Sequence, residues 1–258
     1  MDQNTDRDWE SLATTDPYWA VISVDEFRRG KLTPEALERF FLSGVAEAES
    51  IVSVARARFD APKQIDVCLD FGCGVGRILL GLARFAKAAV GVDVSPTMLD
   101  LCNRNARERG IENIELFRSD DQLSAVSQYS GTVDLLTSFI VFQHIPPQRG
   151  YRILDALLKL LKAGGVGCLQ FTFAAEVDAL RHENGNVTGV LHRFYQRTPG
   201  GLLKLVEYPA GDTQIQMNHY NLNELFCYLY QIGATNCFVQ LDSHSGTLGA
   251  TLYFQKGT

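Results

Sequence analysis

The sequence predicts an α/β protein built around a doubly wound, mostly parallel sheet. Residues 67–77 read V-C-L-D-F-G-C-G-V-G-R, an apolar run that leads into a glycine turn. Such a run is typical of a buried parallel strand. Further apolar runs alternate with helical patterns up to residue 173, which favours a parallel sheet. Two later strands are joined by the short turn D-S-H-S-G, which indicates an antiparallel pair at the C-terminal end.

The predicted elements follow in a regular order. Seven strands are expected, at residues 66–70, 88–93, 114–117, 133–138, 166–173, 237–241 and 247–254. The helices are recognised by cap residues and by apolar residues at steps of three and four. They begin at Thr33 (with an apolar face to Phe59), at Arg77 (to Phe85), at Ser95 (closed by Gly110), at Arg152 (stopped by Gly164) and at Asn221 (to Gly233).

The glycine turn indicates the kind of ligand. Glycines at 72, 74 and 76 permit positive φ and let a ligand approach the backbone. The spacing is not the G-x-G-x-x-G of dinucleotide sites, because the third glycine comes one residue early and Arg77 follows it. Asp70 would repel a pyrophosphate, whereas it suits a cationic ligand such as S-adenosylmethionine. The second strand ends in Asp93, whose carboxylate can accept hydrogen bonds from both ribose hydroxyls.

These segments resemble the class I S-adenosylmethionine-dependent methyltransferases. The resemblance is carried by D-F-G-C-G-V-G-R, G-V-D-V-S-P-T-M-L, R-S-D-D-Q-L and V-D-L-L-T-S-F-I-V-F-Q-H-I-P-P, in the family's order and spacing, and covers roughly residues 40–255. It implies a Rossmann-like seven-stranded sheet, mostly parallel with a C-terminal antiparallel hairpin. It also implies S-adenosylmethionine as cofactor, with S-adenosylhomocysteine as product.

The resemblance implies a cofactor role for residues after each of the first four strands. Asp70, Arg77 and the loop should hold the amino-acid end, Asp93 the ribose, and Met98 the adenine. The full expected set is Asp70, Gly72, Cys73, Gly74, Gly76, Arg77, Asp93, Val94, Met98, Asp120, Asp121, Gln122, Ser138, Phe139 and Gln143. Two alternatives stay open: Arg77 as an exposed first-turn residue, and Asp120 or Asp121 as a turn cap rather than an acceptor for the adenine amino group.

His144 is the candidate catalytic residue, because an imidazole can take a proton from an acceptor hydroxyl. The alternative is that it only orients its loop. The expected acceptor-binding residues are Trp19, His144, His219 and Tyr220. The predicted reaction is methyl transfer to a small molecule, at a hydroxyl oxygen or, alternatively, at nitrogen. A non-catalytic S-adenosylmethionine-binding or assembly subunit is the competing hypothesis from another class, and aminopropyl transfer is disfavoured because Q-H-I-P-P offers no carboxylates.

Composition limits the kinds of partner that are expected. A net charge of −6 and a pI near 5.4 argue against a nucleic-acid substrate, since proteins that bind nucleic acids usually present a basic face. The polar N-terminus and the absence of a long apolar run predict no membrane association and a cytoplasmic location. Six cysteines without a C-x-x-C pair predict no metal site. The sequence leaves the oligomeric state open.

Three segments are expected. Residues 1–32 contain both tryptophans and are interpreted as a lid, with packing of aromatics onto the domain as the alternative. Residues 33–258 are the methyltransferase domain. Within it, residues 174–220 are too long for a simple connection and carry basic and aromatic residues. They are interpreted as an inserted cap that binds acceptor, with a surface hairpin or oligomer contact as the alternative.

Overall fold

The computed structural model describes residues 5–59, 64–175, 190–197, 203–208, 215–244 and 247–258. Seven α-helices are present in this part of the chain: α1 (Thr5–Thr15), α2 (Pro17–Val21), α3 (Pro34–Phe59), α4 (Leu79–Leu82), α5 (Pro96–Glu108), α6 (Pro147–Leu160) and α7 (Leu222–Gln231). Its strands are β1 (Ile65–Phe71), β2 (Ala86–Asp93), β3 (Ile114–Arg118), β4 (Val133–Ser138), β5 (Leu161–Ala175), β6 (Val190–Arg197), β7 (Leu203–Tyr208), β8 (Ile215–Met217), β9 (Cys237–His244) and β10 (Thr247–Gln255).

Seven strands form the main sheet in the order β3-β2-β1-β4-β5-β10-β9. The first five are parallel to one another, and β10 lies antiparallel between β5 and β9. The predicted fold class, a mostly parallel α/β sheet with a C-terminal antiparallel hairpin, is therefore confirmed.

Each face of the sheet is covered by its own apolar core. On one face, Phe40 and Ile51 of α3 pack with Leu79 of α4 and Cys102 of α5. On the other, residues of α6 and α7 pack with β5 and β10. Strands β1 and β4 lie between the two layers, so the last four residues of β1 and all six residues of β4 are buried.

Three predicted boundaries were wrong. The helix expected over 77–85 contains only Leu79–Leu82, because β2 starts at Ala86 to pair with Ile65 and the chain must turn first. Helix α6 begins five residues before the expected start, since Pro147 takes a first-turn position where no N–H is needed. Strand β5 is longer than predicted at both ends and joins α6 without a loop.

The segment interpreted as a cap contributes strands to a second, three-stranded sheet of order β7-β6-β8. Strand β6 runs antiparallel to β7 and parallel to β8. Residues 176–189, which include Arg181 and His182, lie outside the described part of the chain. Within the described residues, no helix combines the length and the apolar character needed to cross a bilayer.

Candidate functional site

One pocket lies at the carboxyl ends of β1, β2 and β4, where ligands bind in open α/β sheets. Its cavity measures about 90 Å³. Its walls are the two loops that follow β1 and β2, the loop after β4, and the N-terminal helices α1 and α2. The lining residues are Thr5, Asp6, Trp9, Ala20, Val21, Phe71, Gly72, Gly74, Asp93, Val94, Met98, Phe139, Ile140, Val141, His144, Ile145, Arg149 and Ile153.

The glycine loop forms one wall of this pocket. Gly72 has φ of +75°, and a Cβ there would lie 2.3 Å from a methyl group of Val141. Gly74 has φ of +52° and lines the pocket directly. Larger residues would therefore strain the backbone and fill the space next to the loop.

Asp93 ends β2 and is held by the loop. Its Oδ2 accepts from the Gly74 N–H at 2.9 Å, and its Oδ1 accepts from the Ser95 N–H at 2.9 Å. Burial raises the pKa of Asp93 to about 6, although these backbone hydrogen bonds oppose the shift. The carboxylate is thus fixed in position and faces the cavity.

Asp70 lies deeper, beneath the loop. Its side chain is buried and accepts from the Thr137 hydroxyl at 2.8 Å. Burial raises its pKa to about 7, while the Thr137 hydrogen bond and the positive charge of Arg77 act in the opposite direction. Asp70 is not a lining residue of the cavity, so its predicted contact with the cofactor stays a prediction.

Arg77 is neither exposed nor in the pocket. It is 9% exposed and donates to the Ser43 hydroxyl of α3 at 3.3 Å. Gly44 lets α3 approach, because a Cβ there would lie 1.8 Å from the Arg77 carbonyl oxygen. The alternative of an exposed first-turn arginine was wrong, because α3 covers this side chain.

The loop after β3 is occupied by contacts within the protein. Asp120 accepts from the N–H groups of Gln122 and Ser124 at 3.0 Å, which is the turn-cap arrangement. Asp121 accepts from Arg149 Nε at 2.7 Å. None of Asp120, Asp121 and Gln122 lines the cavity, so an adenine contact from them remains a prediction.

The loop after β4 brings the candidate base to the pocket. Ser138 is buried and donates to the Phe71 carbonyl at 3.0 Å, whereas Phe139 lines the cavity. Gln143 Nε2 lies 3.0 Å from His144 Nε2. With the amide donating, the imidazole carries its proton on Nδ1.

The structure separates the four expected acceptor residues. Only His144 lines the cavity. Trp19 packs under the guanidinium of Arg28, 4.0 Å from the ring centroid. Tyr220 lies in the core and donates to the Ile145 carbonyl at 2.9 Å. His219 is buried and is not among the lining residues, so the acceptor roles of these last three remain predictions.

Helix α1 supplies site residues that sequence analysis missed. Trp9 lies against His144 with a ring-centroid distance of 4.9 Å. Glu10 accepts from the Ser95 and Thr97 hydroxyls at 2.6 and 2.5 Å, beside Asp93. The tryptophan was noted as a lid residue, but no motif surrounds Glu10 to mark it.

Arg149, in the first turn of α6, is the second missed residue. Its Nη1 and Nη2 donate to the two carboxylate oxygens of Asp6 at 2.6 and 3.0 Å, and Nη1 also donates to the Thr5 hydroxyl at 3.0 Å. Its Nε donates to Asp121. One side chain thus connects α1, α6 and the loop after β3.

The part of the chain that the structure describes contains no cluster of three or more His, Cys, Asp or Glu side chains arranged to hold a metal ion. Four of the six cysteines are buried, and burial raises the pKa of the Cys68 thiol above its usual range. They act as small apolar core residues.

Comparison with known proteins supports the class of protein that this geometry suggests. Residues 68–165 match the family model described as "Methyltransferase domain". Among curated relatives, the 23S rRNA (uracil(1939)-C(5))-methyltransferase RlmD of Burkholderia thailandensis is 30% identical over 157 residues, which cover 55% of this chain. The same enzyme of Marinomonas sp. strain MWYL1 is 27% identical over 169 residues, or 61% of this chain. The matched regions span only 33% and 37% of those two relatives.

Solved structures share the fold over most of the chain. Magnesium protoporphyrin IX methyltransferase (ChlM) from Synechocystis PCC 6803 with bound SAH has a TM-score of 0.61 at 19% identity, covering 96% of this chain and 98% of its own. An S-adenosylmethionine-dependent methyltransferase from Clostridium acetobutylicum ATCC 824 has a TM-score of 0.55 at 16% identity, covering 82% and 91%.

The family match and the shared fold confirm the predicted resemblance to the class I S-adenosylmethionine-dependent methyltransferases. The prediction that excluded a nucleic-acid partner was wrong, because the curated relatives are rRNA methyltransferases by name. Net charge misled because it averages over the whole surface, whereas a nucleic acid contacts only one part of it.

Proposed function

We propose that this protein transfers a methyl group from S-adenosylmethionine to an acceptor that enters beside His144. The observation that carries the proposal is the convergence of the glycine loop and the fixed carboxylate of Asp93 on one pocket. Both groups come from the ends of adjacent parallel strands, β1 and β2. The family match and the bound cofactor or product named for solved neighbours support the same cofactor.

The residues of the pocket fit the chemistry of this cofactor. A fixed carboxylate suits a ribose diol, and the backbone of Gly72 and Gly74 lines the pocket, where it is proposed to contact the amino-acid end. Val94 and Met98 offer an apolar wall for the adenine. When bound, the cofactor supplies an activated methyl group on a sulfonium. The protein has to hold the acceptor in line with that group, and orientation of this kind can supply roughly 7–11 kcal/mol.

His144 is proposed to receive the proton of a hydroxyl acceptor. Its imidazole lines the pocket, and Gln143 holds the ring orientation through the Nε2 contact. In the tautomer described above Nδ1 bears the proton, so Nε2 is the nitrogen that can act as the base. The Gln143 amide must therefore move away from Nε2 when the acceptor binds. If His144 only orients the loop, its loss will alter acceptor affinity more than turnover.

The proposed acceptor is a small molecule, methylated at a hydroxyl oxygen. With α1 closed, the acceptor would lie beneath this helix, which suits a small acceptor rather than an extended one. The terminal segment 1–32 is proposed as the lid and residues 174–220 as the acceptor cap. Methylation at nitrogen would use the same pocket without needing a base.

RNA is the second candidate acceptor. The observation that favours it is the likeness to the two 23S rRNA methyltransferases described above, over more than half of this chain. The matched regions span about a third of the length of those relatives.

The test has two stages. Isothermal titration with S-adenosylmethionine and S-adenosylhomocysteine measures cofactor binding, and the absence of binding by folded protein would overturn the proposal. Release of S-adenosylhomocysteine is then measured with panels of small hydroxyl, amine and thiol compounds and with ribosomal RNA. Turnover with RNA alone would replace the small-molecule acceptor, and binding without turnover on any panel would favour the non-catalytic hypothesis.

A further inference from the structure

Helix α1 closes the pocket in the structure. Thr5, Asp6 and Trp9 of α1 form part of its wall, and the remaining cavity is about 90 Å³. Because α1 forms part of the wall, opening of this helix widens the route by which a nucleoside of the size of S-adenosylmethionine enters and leaves.

Helix α1 is held closed by apolar and by polar contacts. Leu12 and Ala13 are buried in the core and Trp9 packs against it, whereas the pocket end of the helix is fixed by charged side chains. Arg149 holds the first turn by donating to both carboxylate oxygens of Asp6. Glu10, in the middle of the helix, accepts from the hydroxyls of Ser95 and Thr97 at the start of α5. A two-pronged contact between guanidinium and carboxylate is the stronger kind, because both groups are charged and their planes match.

Arg149 is also the link between α1 and the rest of the fold. Its Nε donates to Asp121, after β3. The side chains of Arg149 and Asp6 are 22% and 40% exposed, so water screens their interaction in part. Asp6 lies in the first turn of α1, where the helix dipole favours a negative charge. Arg149 is therefore fixed by its bond to Asp121, and Asp6 is stabilised by the dipole of α1.

We propose that Arg149 is a positioning residue that holds α1 closed over the cofactor pocket and thereby sets the rate of cofactor exchange. This inference rests on the proposed function. Breaking the contact with Asp6 lets α1 open more often, so the dissociation and association rates of S-adenosylhomocysteine both increase. Affinity changes less than either rate, because the glycine loop, Asp93 and Met98, which are proposed to hold the nucleoside, are unaltered.

Arg152 provides a matched control on the same helix. Its Nη2 lies 3.6 Å from Asp121 Oδ2, so it shares one acidic partner with Arg149, and its side chain is 61% exposed. The variants to compare are R149M, D6N, the double variant R149M/D6N, and R152M. The rates are measured by displacing labelled S-adenosylhomocysteine with an excess of unlabelled compound. Hydrogen exchange of the amides of residues 5–15 in ligand-free protein reports opening of α1 independently of any ligand.

R149M and D6N should each increase the dissociation rate of S-adenosylhomocysteine roughly tenfold. The double variant should add little, since each single variant already breaks the ion pair between Arg149 and Asp6. R152M should stay within about twofold of the unaltered protein. The proposal is overturned if D6N leaves both the rates and the exchange unchanged, or if R152M matches R149M, because the effect would then act through Asp121. Should R149M fail to fold, D6N decides alone. If the unaltered protein binds neither compound, the proposed function fails, and hydrogen exchange still tests the contact.

Discussion

The indole of Trp9 lies against the imidazole of His144, with ring centroids 4.9 Å apart and planes inclined by 56°. One ring belongs to α1 and the other to the loop after β4. The helix that covers the cofactor pocket therefore also covers the candidate base and limits the access of water to it. A base shielded in this way responds more strongly to the groups placed next to it.

Replacement of His144 tests its role as a base. H144A should lower kcat with a hydroxyl acceptor by roughly 10²–10⁴-fold, the usual contribution of a positioned base, while the Kd of S-adenosylmethionine stays nearly constant. Steady-state kinetics and calorimetry measure the two quantities. Q143A, which removes only the neighbouring amide, should have a smaller effect on kcat. Unchanged turnover in H144A would rule out the base.

The pH dependence of stability and that of cofactor binding should have opposite signs. The pKa of Asp70 is about 7 and that of Asp93 about 6, both raised by burial from 3.8. Between about pH 4 and about pH 7 the folded protein keeps protons that the unfolded chain releases, so ligand-free stability increases as the pH falls. Affinity for a cationic cofactor should decrease over the same window, since the carboxylates lose their charge.

The variant D70N separates the contribution of Asp70 to the pH dependence from that of Asp93. The amide cannot ionise, so the variant should unfold at a higher temperature than the unaltered protein at pH 8 and bind the cofactor more weakly. Thermal unfolding and calorimetry at several pH values between about 5 and about 8 measure both effects. A variant whose stability retains the original slope would place the titrating group elsewhere.

Loss of the Asp93 carboxylate should weaken cofactor binding strongly. D93A removes a charged acceptor for the ribose and leaves the Gly74 and Ser95 N–H groups without it, at a cost of roughly 1.5–3 kcal/mol in binding, or at least tenfold in Kd. Calorimetric titration measures the change. D66A removes an exposed carboxylate that pairs with Lys87 on the surface and should leave Kd unaltered. Equal losses in both variants would indicate a general effect of charge.

The packing of α6 on Tyr220 should make Gly150 intolerant of a side chain. A Cβ at this position would lie 1.9 Å from the Tyr220 hydroxyl oxygen and 2.8 Å from its ring carbon Cζ. G150A should therefore lower stability by roughly 1–3 kcal/mol, measured by chemical denaturation. G30A is the matched control, because no atom lies within 4 Å of its new methyl group. Addition of Y220F to G150A should recover part of the loss, since it removes the nearest atom.

The strands and the glycine loop were predictable because their signals are local. The apolar runs of β1 and β4 and the spacing from Gly72 to Asp93 can be read within a few turns of chain. The ends of α4, α6 and β5 were not, because pairing partners and prolines fix them. Asp70, Gly74 and Asp93 meet as expected at the ends of adjacent strands, although only the latter two line the cavity.

The lid contacts could not be predicted in the same way. Asp6 and Arg149 are separated by 143 positions, and neither lies in a recognisable motif. Their pairing depends on how α1 crosses the sheet, which local propensity does not determine. The burial of Arg77 could not be predicted either, since it results from the close approach of α3 at Gly44, and the predicted contact of Arg77 with the cofactor stays a prediction.

The position of β10 between β5 and β9 exposes the chain to aggregation during synthesis. This strand follows β5 and β9 in the chain, yet it completes the sheet by entering between them. Until β10 has been synthesised, β5 presents a row of unpaired amides and carbonyls to other nascent chains. Protection of that edge by a chaperone should therefore govern how much of the protein reaches its native state.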